Sequence, residues 1–482
     1  MDDKIYVDLY ELIQNLFIDL IEYVNKSEDE NKYIFSHHKF PMLRGYDKNG
    51  LPELWESHVS DGPKDYTSLF TRWDKEHHYN LDEITSYQNV IDYFVTHEQD
   101  FKSFVYFSNW DFKKDISRSI IRYLLLTSFD SYMHAAKSST FNEDVFKNIL
   151  LHLYNKIFPD NLSISICVPI LFTKFEEDNI PITDNIKIRK LNEKELISIY
   201  KVGGYSDTHE VSTVSRALYI LELENYSIPN TSEFLRSGLD YKESYPIDII
   251  DKWFAALKTT THIETGYGQV LSFPQNWGVR DANLIEVHGD KIKKYNSRIN
   301  KYYTDIPTLS AKDLVPAIKL FNFLLNNEKN SVNIAVNRLT LAYLRETEED
   351  AIIDLMIGIE ALVTNKDFGE ISYKVSTRVA LILSTLETYP YNILETRQII
   401  KHLYKFRSKV VHGESFTDKN KIIKIREDVQ IDTIQIAIEV LQYLLVALSN
   451  NPSLSKADSI DTYFMEQYEK LSNTHIPTSP SE

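Results

Sequence analysis

The chain carries a single cysteine in 482 residues, Cys167. One thiol excludes an intramolecular disulfide and any cysteine-based zinc cluster. Glycine is scarce as well, at 13 residues. Gly266-Tyr267-Gly268 lacks the third glycine and the following helix of a dinucleotide fingerprint. There is neither a phosphate-binding loop with its lysine nor a nucleophile elbow. No run reaches about 18 apolar residues, so no membrane span is expected. Met1-Asp2-Asp3-Lys4 does not open a signal peptide, because no basic stretch precedes an apolar core. The expected location is therefore cytoplasmic. Positive charge is in deficit: 53 Lys and Arg stand against 70 Asp and Glu, a net of −17. That balance opposes non-specific binding to nucleic acid, so any contact with a polyanion must be local.

What is present is an ordinary globular balance. Hydrophobic residues make up 43% and aromatic residues 12%, enough for cores in two to four domains. Residues 8–25 have helical periodicity. Residues 28–90 are polar and turn-rich, and no fold is assigned to them. Helices are expected at about 112–137, 143–157 and 246–260. Strands are expected at 162–174, 186–189, 217–223 and 259–273. Near residue 305 the pattern changes, and six amphipathic segments follow, at about 311–327, 331–345, 349–364, 371–386, 392–411 and 429–449. Ser310 with Asp313, Asp350 and Asp428 stand where N-caps belong. The expected class is α+β: a mixed α/β region over 1–305, with a division at about 140 as one option, then an all-α helical bundle over 306–460. A tail over 461–482, rich in proline, serine and threonine at its end, is expected to be mostly disordered.

The acidic chain contains one basic island. From Thr396 to Arg426 nine residues are positive and two are negative, a net of seven positive charges. Within it stands Arg407-Ser408-Lys409-Val410-Val411-His412-Gly413. A histidine can take or give a proton near neutral pH, and an arginine forks onto phosphate oxygens. Those are the two side chains that a metal-free ribonuclease needs. Lys401, Lys405, Lys409, Lys419, Lys421 and Lys424 would supply the RNA contact, or for 419–426 simply a solvated face. On an ideal helix the five-residue spacing separates Arg407 and His412 by about 140° and roughly 7.5 Å of rise. Gly413 could end the helix in a left-handed C-cap and leave His412 in the last turn. Glu360 falls roughly 40° from Met356, at the edge of a buried stripe, and needs a partner. Arg378 is a candidate for that partner, either as a structural ion pair or as part of a site.

On three local patterns the carboxy-terminal third resembles the HEPN superfamily, and most closely the Apea-like HEPN proteins of bacterial anti-phage defence. Asp354-Leu355-Met356-Ile357-Gly358-Ile359-Glu360-Ala361-Leu362 is similar to the acidic helix, Tyr373 to Leu383 to the arginine-bearing helix, and Arg407 to Gly413 to the arginine–histidine signature. The resemblance covers about residues 306–455, with a vaguer likeness at Ile164 to Glu195. It departs at Ser408, where active members often carry asparagine, aspartate or histidine. It implies a two-fold homodimer with a shared cleft, catalytic Arg407 and His412, and accessory Ser408, Glu360 and Arg378. It also implies cleavage of RNA (tRNA or rRNA as possible targets) through the 2′-hydroxyl without metal or cofactor, in abortive infection set off by a phage-derived or cellular trigger. The alternatives are a catalytically degenerate HEPN module for dimerisation or RNA binding, favoured by Ser408, and the toxin of a toxin–antitoxin pair.

Other signals are weaker. His37-His38 and His77-His78 are tandem pairs, which chelate metals poorly because neighbouring side chains diverge. Asp130 and His134, four apart on a helix, read as a hydrogen bond rather than a site.

Overall fold

Apolar residues three and four apart, from Leu9 through Ile13, Phe17 and Leu20 to Val24, wind the N-terminal stretch into a helix with one buried stripe, α1 (Asp3–Glu30). The computed structural model describes residues 3–30, 35–39, 41–56, 62–71, 78–97, 113–202, 216–230, 245–296, 305–327, 330–364, 371–413, 421–426 and 429–473. The chain divides into two compact units. The first comprises 1–171, 178–245 and 267–293; the second comprises 172–177, 246–266 and 294–482.

In the first unit, α1 packs with α3 (Thr85–Thr96), α4 (Lys113–Ala136) and α5 (Glu143–Ile157) around one aromatic core. Phe17 meets Phe129 of α4 and Phe146 of α5 edge-on, each at 5.4 Å between centroids. Such pairs stabilise by about 0.5–1.5 kcal/mol beyond their buried area. The stretch left without a fold by its sequence holds a ribbon of β1 (Ser36–His37) with β4 (Lys64–Asp65), a hairpin of β2 (Pro41–Tyr46) with β3 (Pro52–Glu56), and the short helix α2 (Ser68–Thr71).

A six-stranded sheet follows in the order β13 (His288–Lys294), β10 (Tyr267–Pro274), β5 (Asn161–Ile170), β9 (Tyr219–Pro229), β8 (Ile186–Lys190), β7 (Asn179–Thr183). The β10–β5, β5–β9, β9–β8 and β8–β7 pairs are antiparallel. Cys167 lies opposite Glu222 in the β5–β9 register and is fully buried. Burial, and then the Glu222 charge, push its thiol well above the usual range, which leaves it inert at neutral pH.

The second unit gathers α7 (Ile247–Thr261) with α8 (Val315–Asn326), α9 (Asn330–Leu344), α10 (Glu348–Val363), α11 (Ile371–Leu383), α12 (Ile393–Val411), α13 (Thr433–Asn450) and α14 (Ala457–Asn473). All six amphipathic segments expected after residue 305 are helices, with ends that move by one to a few residues. α13 is the central helix, burying Ile436, Val440, Leu441, Leu444 and Leu448. By length and composition it is apolar enough to cross a membrane, yet more than half of it is buried against neighbouring helices. Gly358 lets α10 approach it, since a Cβ there would sit 2.9 Å from Leu441 Cδ2.

The structure departs from the sequence expectation in several places. The helical unit is not all-α: β15 (Ile422–Lys424) and β16 (Gln430–Asp432) form a hairpin between α12 and α13, and β6 (Lys174–Phe175) pairs in parallel with β14 (Thr308–Leu309). A division at residue 305 would leave α7 in the N-terminal region, but α7 belongs to the helical unit, where Trp253 packs edge-on against Phe321 at 5.4 Å. Residues 457–473, mostly assigned to a disordered tail, form α14. The α10 and α13 caps are Thr347 and Asp432, whose side chains accept from the backbone N–H groups of Asp350, and of Ile434 and Gln435. Asp428 lies outside the described residues. Ser310 and Asp313 do bond, but in a turn ahead of α8. The strand expected from residue 259 begins at Tyr267, because α7 runs on to Thr261.

Candidate active site

α12 carries the basic signature. Its start is fixed by a capping box: the Asn392 side chain accepts from Leu394 and Glu395 N–H, and Glu395 accepts from Asn392 N–H. Glu395 also takes Arg426 through two bonds of 2.6 and 2.9 Å, tying the β15–β16 connection to the head of the helix. Arg426 first, then the backbone bond, holds the Glu395 carboxyl down at about 2.

The exposed face of α12 runs through Leu394, Gln398, Lys401, Lys405, Ser408 and His412, a repeat of four and three residues that keeps them in line. Ser408 and His412, four apart, are neighbours on this face. The helix ends where the sequence predicts. His412 is its C-cap, with φ −90° and ψ 2°, and its N–H donates to Ser408 O. Gly413 follows at φ +68°, a conformation that a side chain would strain. His412 is therefore a solvent-facing imidazole at the end of a cationic stripe.

Arg407 lies elsewhere. α12 is continuous through Val411, so the two positions stand about 140° apart around the helix axis. It sits half-buried beside Tyr404, one turn earlier. The Tyr404 hydroxyl donates to Glu360 Oε1 of α10 at 2.6 Å. Burial, then that bond, push the Tyr404 phenol well above its usual range. Arg407 Nε is buried and has no hydrogen-bond partner among the described residues. Arg397 Nε is in the same state, with its guanidinium 5.5 Å over the Tyr373 ring. Tyr373, Ile371, Ser372 and Lys401 line an open groove of about 650 Å³.

The expected partnership of Glu360 with Arg378 does not form. Arg378, on α11, donates twice to Asp461 of α14, at 3.0 and 2.7 Å, and once to Val363 O at 2.7 Å. It is a structural clasp, and it holds the Asp461 carboxyl below its usual range. The buried carboxylate of α10 is instead Asp354, which takes Arg338 of α9 at 2.6 Å and Arg345 at 2.7 Å. Of the expected RNA-binding lysines, Lys401, Lys405 and Lys424 are exposed and Lys409 is half-buried. Lys421 pairs with Glu348 at 3.1 Å, and Lys419 lies outside the described residues. Sequence reasoning missed Tyr404, although its position three residues before Arg407 already put the two on one face.

No protein-family model, no curated protein and no solved structure matches this chain.

Proposed function

We propose that the helical unit is a metal-independent endoribonuclease of the HEPN type, working as a two-fold homodimer in bacterial anti-phage defence. The observation that carries this is the pairing of a solvent-facing, glycine-terminated His412 with a half-buried Arg407 whose Nε–H has no partner among the described residues. A buried donor left unpaired costs about 1–3 kcal/mol, a cost that function can explain. Arg407 and His412 diverge within one chain, so the cleft needs two copies. His412 accepts the proton of the RNA 2′-hydroxyl, whose oxygen attacks the adjacent phosphorus. The partner's His412 returns a proton to the departing 5′-oxygen. Arg407 stabilises the negative charge that builds on the phosphoryl oxygens. The products are a 2′,3′-cyclic phosphate and a 5′-hydroxyl, and DNA is not cut. The first unit would hold the effector silent until a phage-derived or cellular trigger acts.

The test is purified protein on labelled tRNA and ribosomal RNA in EDTA, with light scattering across a dilution series. His412→Ala should lower the rate by about 10²–10⁴-fold with the fold intact. Cleavage by His412→Ala at the parental rate would remove the assignment. A degenerate HEPN module is the second reading, favoured by Ser408 beside His412 where active members often carry a longer side chain. It predicts RNA binding without cleavage.

A further inference from the structure

Tandem histidines separate, and in the first unit one of them finds partners far away in sequence. His37 ends β1, while His38 continues into a junction where four segments meet. The β1–β4 register places Ser36 opposite Asp65 and His37 opposite Lys64, and His38 N–H donates to Pro63 O at 2.8 Å. Gly62 permits this approach, because a Cβ there would run into the His38 carbonyl. Asp130 and His134 come from α4. His38 Nε2 lies 3.0 Å from Asp130 Oδ2 and 3.8 Å from Asp65 Oδ1. His134 Nε2 lies 3.7 Å from Asp130 Oδ1 and 2.8 Å from the Lys64 carbonyl. One donor atom from each of His38, Asp130 and His134 falls within 4.8 Å of the other two.

We propose that His38, Asp130 and His134 bind one divalent transition-metal ion, with the Asp65 carboxylate beside His38 at 3.8 Å. Donors at about 2.0–2.2 Å around a tetrahedral ion are separated by ~3.3 Å, and the 3.0 and 3.7 Å from Asp130 to the two imidazoles bracket that value. Two imidazoles and one carboxylate, with a position left for water, suit zinc and its first-row neighbours. The outer contacts are those that ligating carboxylates need. Asp130 is fully buried, and its oxygens accept from Tyr66 N–H at 2.9 Å and Ala282 N–H at 2.6 Å. Asp65 Oδ1 accepts from the Thr67 N–H and hydroxyl at 3.0 and 2.6 Å. Ala282 reaches Asp130 only by taking φ +53°, strain that persists where the surroundings over-determine the backbone. The proton of His134 Nε2 is directed at the Lys64 carbonyl, which leaves that nitrogen facing Asp130 Oδ1 at 3.7 Å without a bond to it. Binding the ion at His134 Nε2 would move that proton to Nδ1 and clip residues 36–38, 64–66 and 281–283 onto α4.

The experiment uses untagged full-length protein, stripped with EDTA, dialysed, and titrated with Zn²⁺ by calorimetry and with Co²⁺ by visible absorption. One ion per chain is expected, with Co²⁺ ligand-field bands and a Zn²⁺-dependent rise in Tm. His38→Gln and His134→Gln should each weaken binding by more than the ~10–100-fold typical of an outer-shell change. His37→Gln should bind as the wild type does. No stoichiometric binding by the wild-type chain, or undiminished binding by both glutamine variants, overturns the proposal. Should one variant fail to fold, the wild-type stoichiometry and the other glutamine variant decide it.

Discussion

Replacing Arg407 with methionine separates a functional arginine from a structural one. The buried Nε–H of Arg407 has no partner among the described residues, and such a donor costs ~1–3 kcal/mol. The side chain is only half-buried, so the lower end, about 1 kcal/mol, applies. Methionine keeps the apolar stem that packs along α12 and removes the unpaired donor. Arg407→Met should therefore leave stability unchanged or raise it by about 1 kcal/mol. In a unit of this size that is a Tm gain of roughly 2–4 °C. RNA cleavage should fall by ~10²–10³-fold, the usual loss when one donor to a developing oxyanion is removed. Differential scanning calorimetry and single-turnover cleavage read the two effects on one preparation. A variant that unfolds several degrees earlier while cleaving normally would show that Arg407 is a structural residue, and the shared-cleft argument would fail with it.

Charge reversal at Lys401 and Lys405 should weaken RNA binding and flatten its salt dependence, by about one unit of slope for each phosphate no longer neutralised. Unchanged affinity would place the RNA on another face. Tyr404→Phe removes the donor to Glu360 and should cost about 1–2 kcal/mol in urea unfolding, whereas a variant as stable as the parent would mean that water serves Glu360 equally well. Arg426 holds the Glu395 carboxyl at about 2, below its ordinary 4.5, so this contribution is present above pH 4.5 and lost as pH falls towards 2. Arg426→Gln should blunt that acid limb in a pH series of Tm values. Burial pushes the Lys258 ammonium from 10.5 down to about 8, so the unfolded chain binds the extra proton between those values and stability rises with pH across them. Lys258→Met should remove that rise and stabilise most below pH 8.

Much of the helical unit was legible because its helices carry strong 3.6-residue stripes and turn residues between them. The stripe from Ile352 to Val363 marked α10, and Gly413 marked the end of α12. Discontinuity was not legible. α7 joins the helical unit through Trp253 and Phe321, a pairing across 68 residues that no local pattern announces. The hairpin of β15 and β16 is three residues to a strand, too short for an alternation to register. In the candidate site, residue types were readable and partners were not. The edge position of Glu360 correctly demanded a partner, but the choice between Arg378 and Tyr404 depends on how α10, α11, α12 and α14 pack. The His38 cluster shows the same limit: only the spacing of Asp130 and His134 was local, and His38 arrives from 92 residues away.

The two proposals make opposite demands on metal, and one variant keeps them apart. The chemistry assigned to His412 and Arg407 moves protons and stabilises charge with side chains alone, so chelation should leave its rate constant untouched. The His38–Asp130–His134 cluster draws its proposed stability from an ion, so chelation should lower the Tm of the protein that holds it. A loss of cleavage in EDTA would by itself be ambiguous between unfolding of the first unit and a metal in the chemistry. His134→Gln resolves this, because it removes a ligand without touching the basic helix. If that variant folds, binds no zinc and still cleaves RNA in EDTA, the ion is structural and the ribonuclease chemistry is metal-free. If it folds, binds no zinc, cleaves in buffer and stops in EDTA, a different metal ion belongs to the reaction, and the acid–base roles given to the two His412 residues must be replaced.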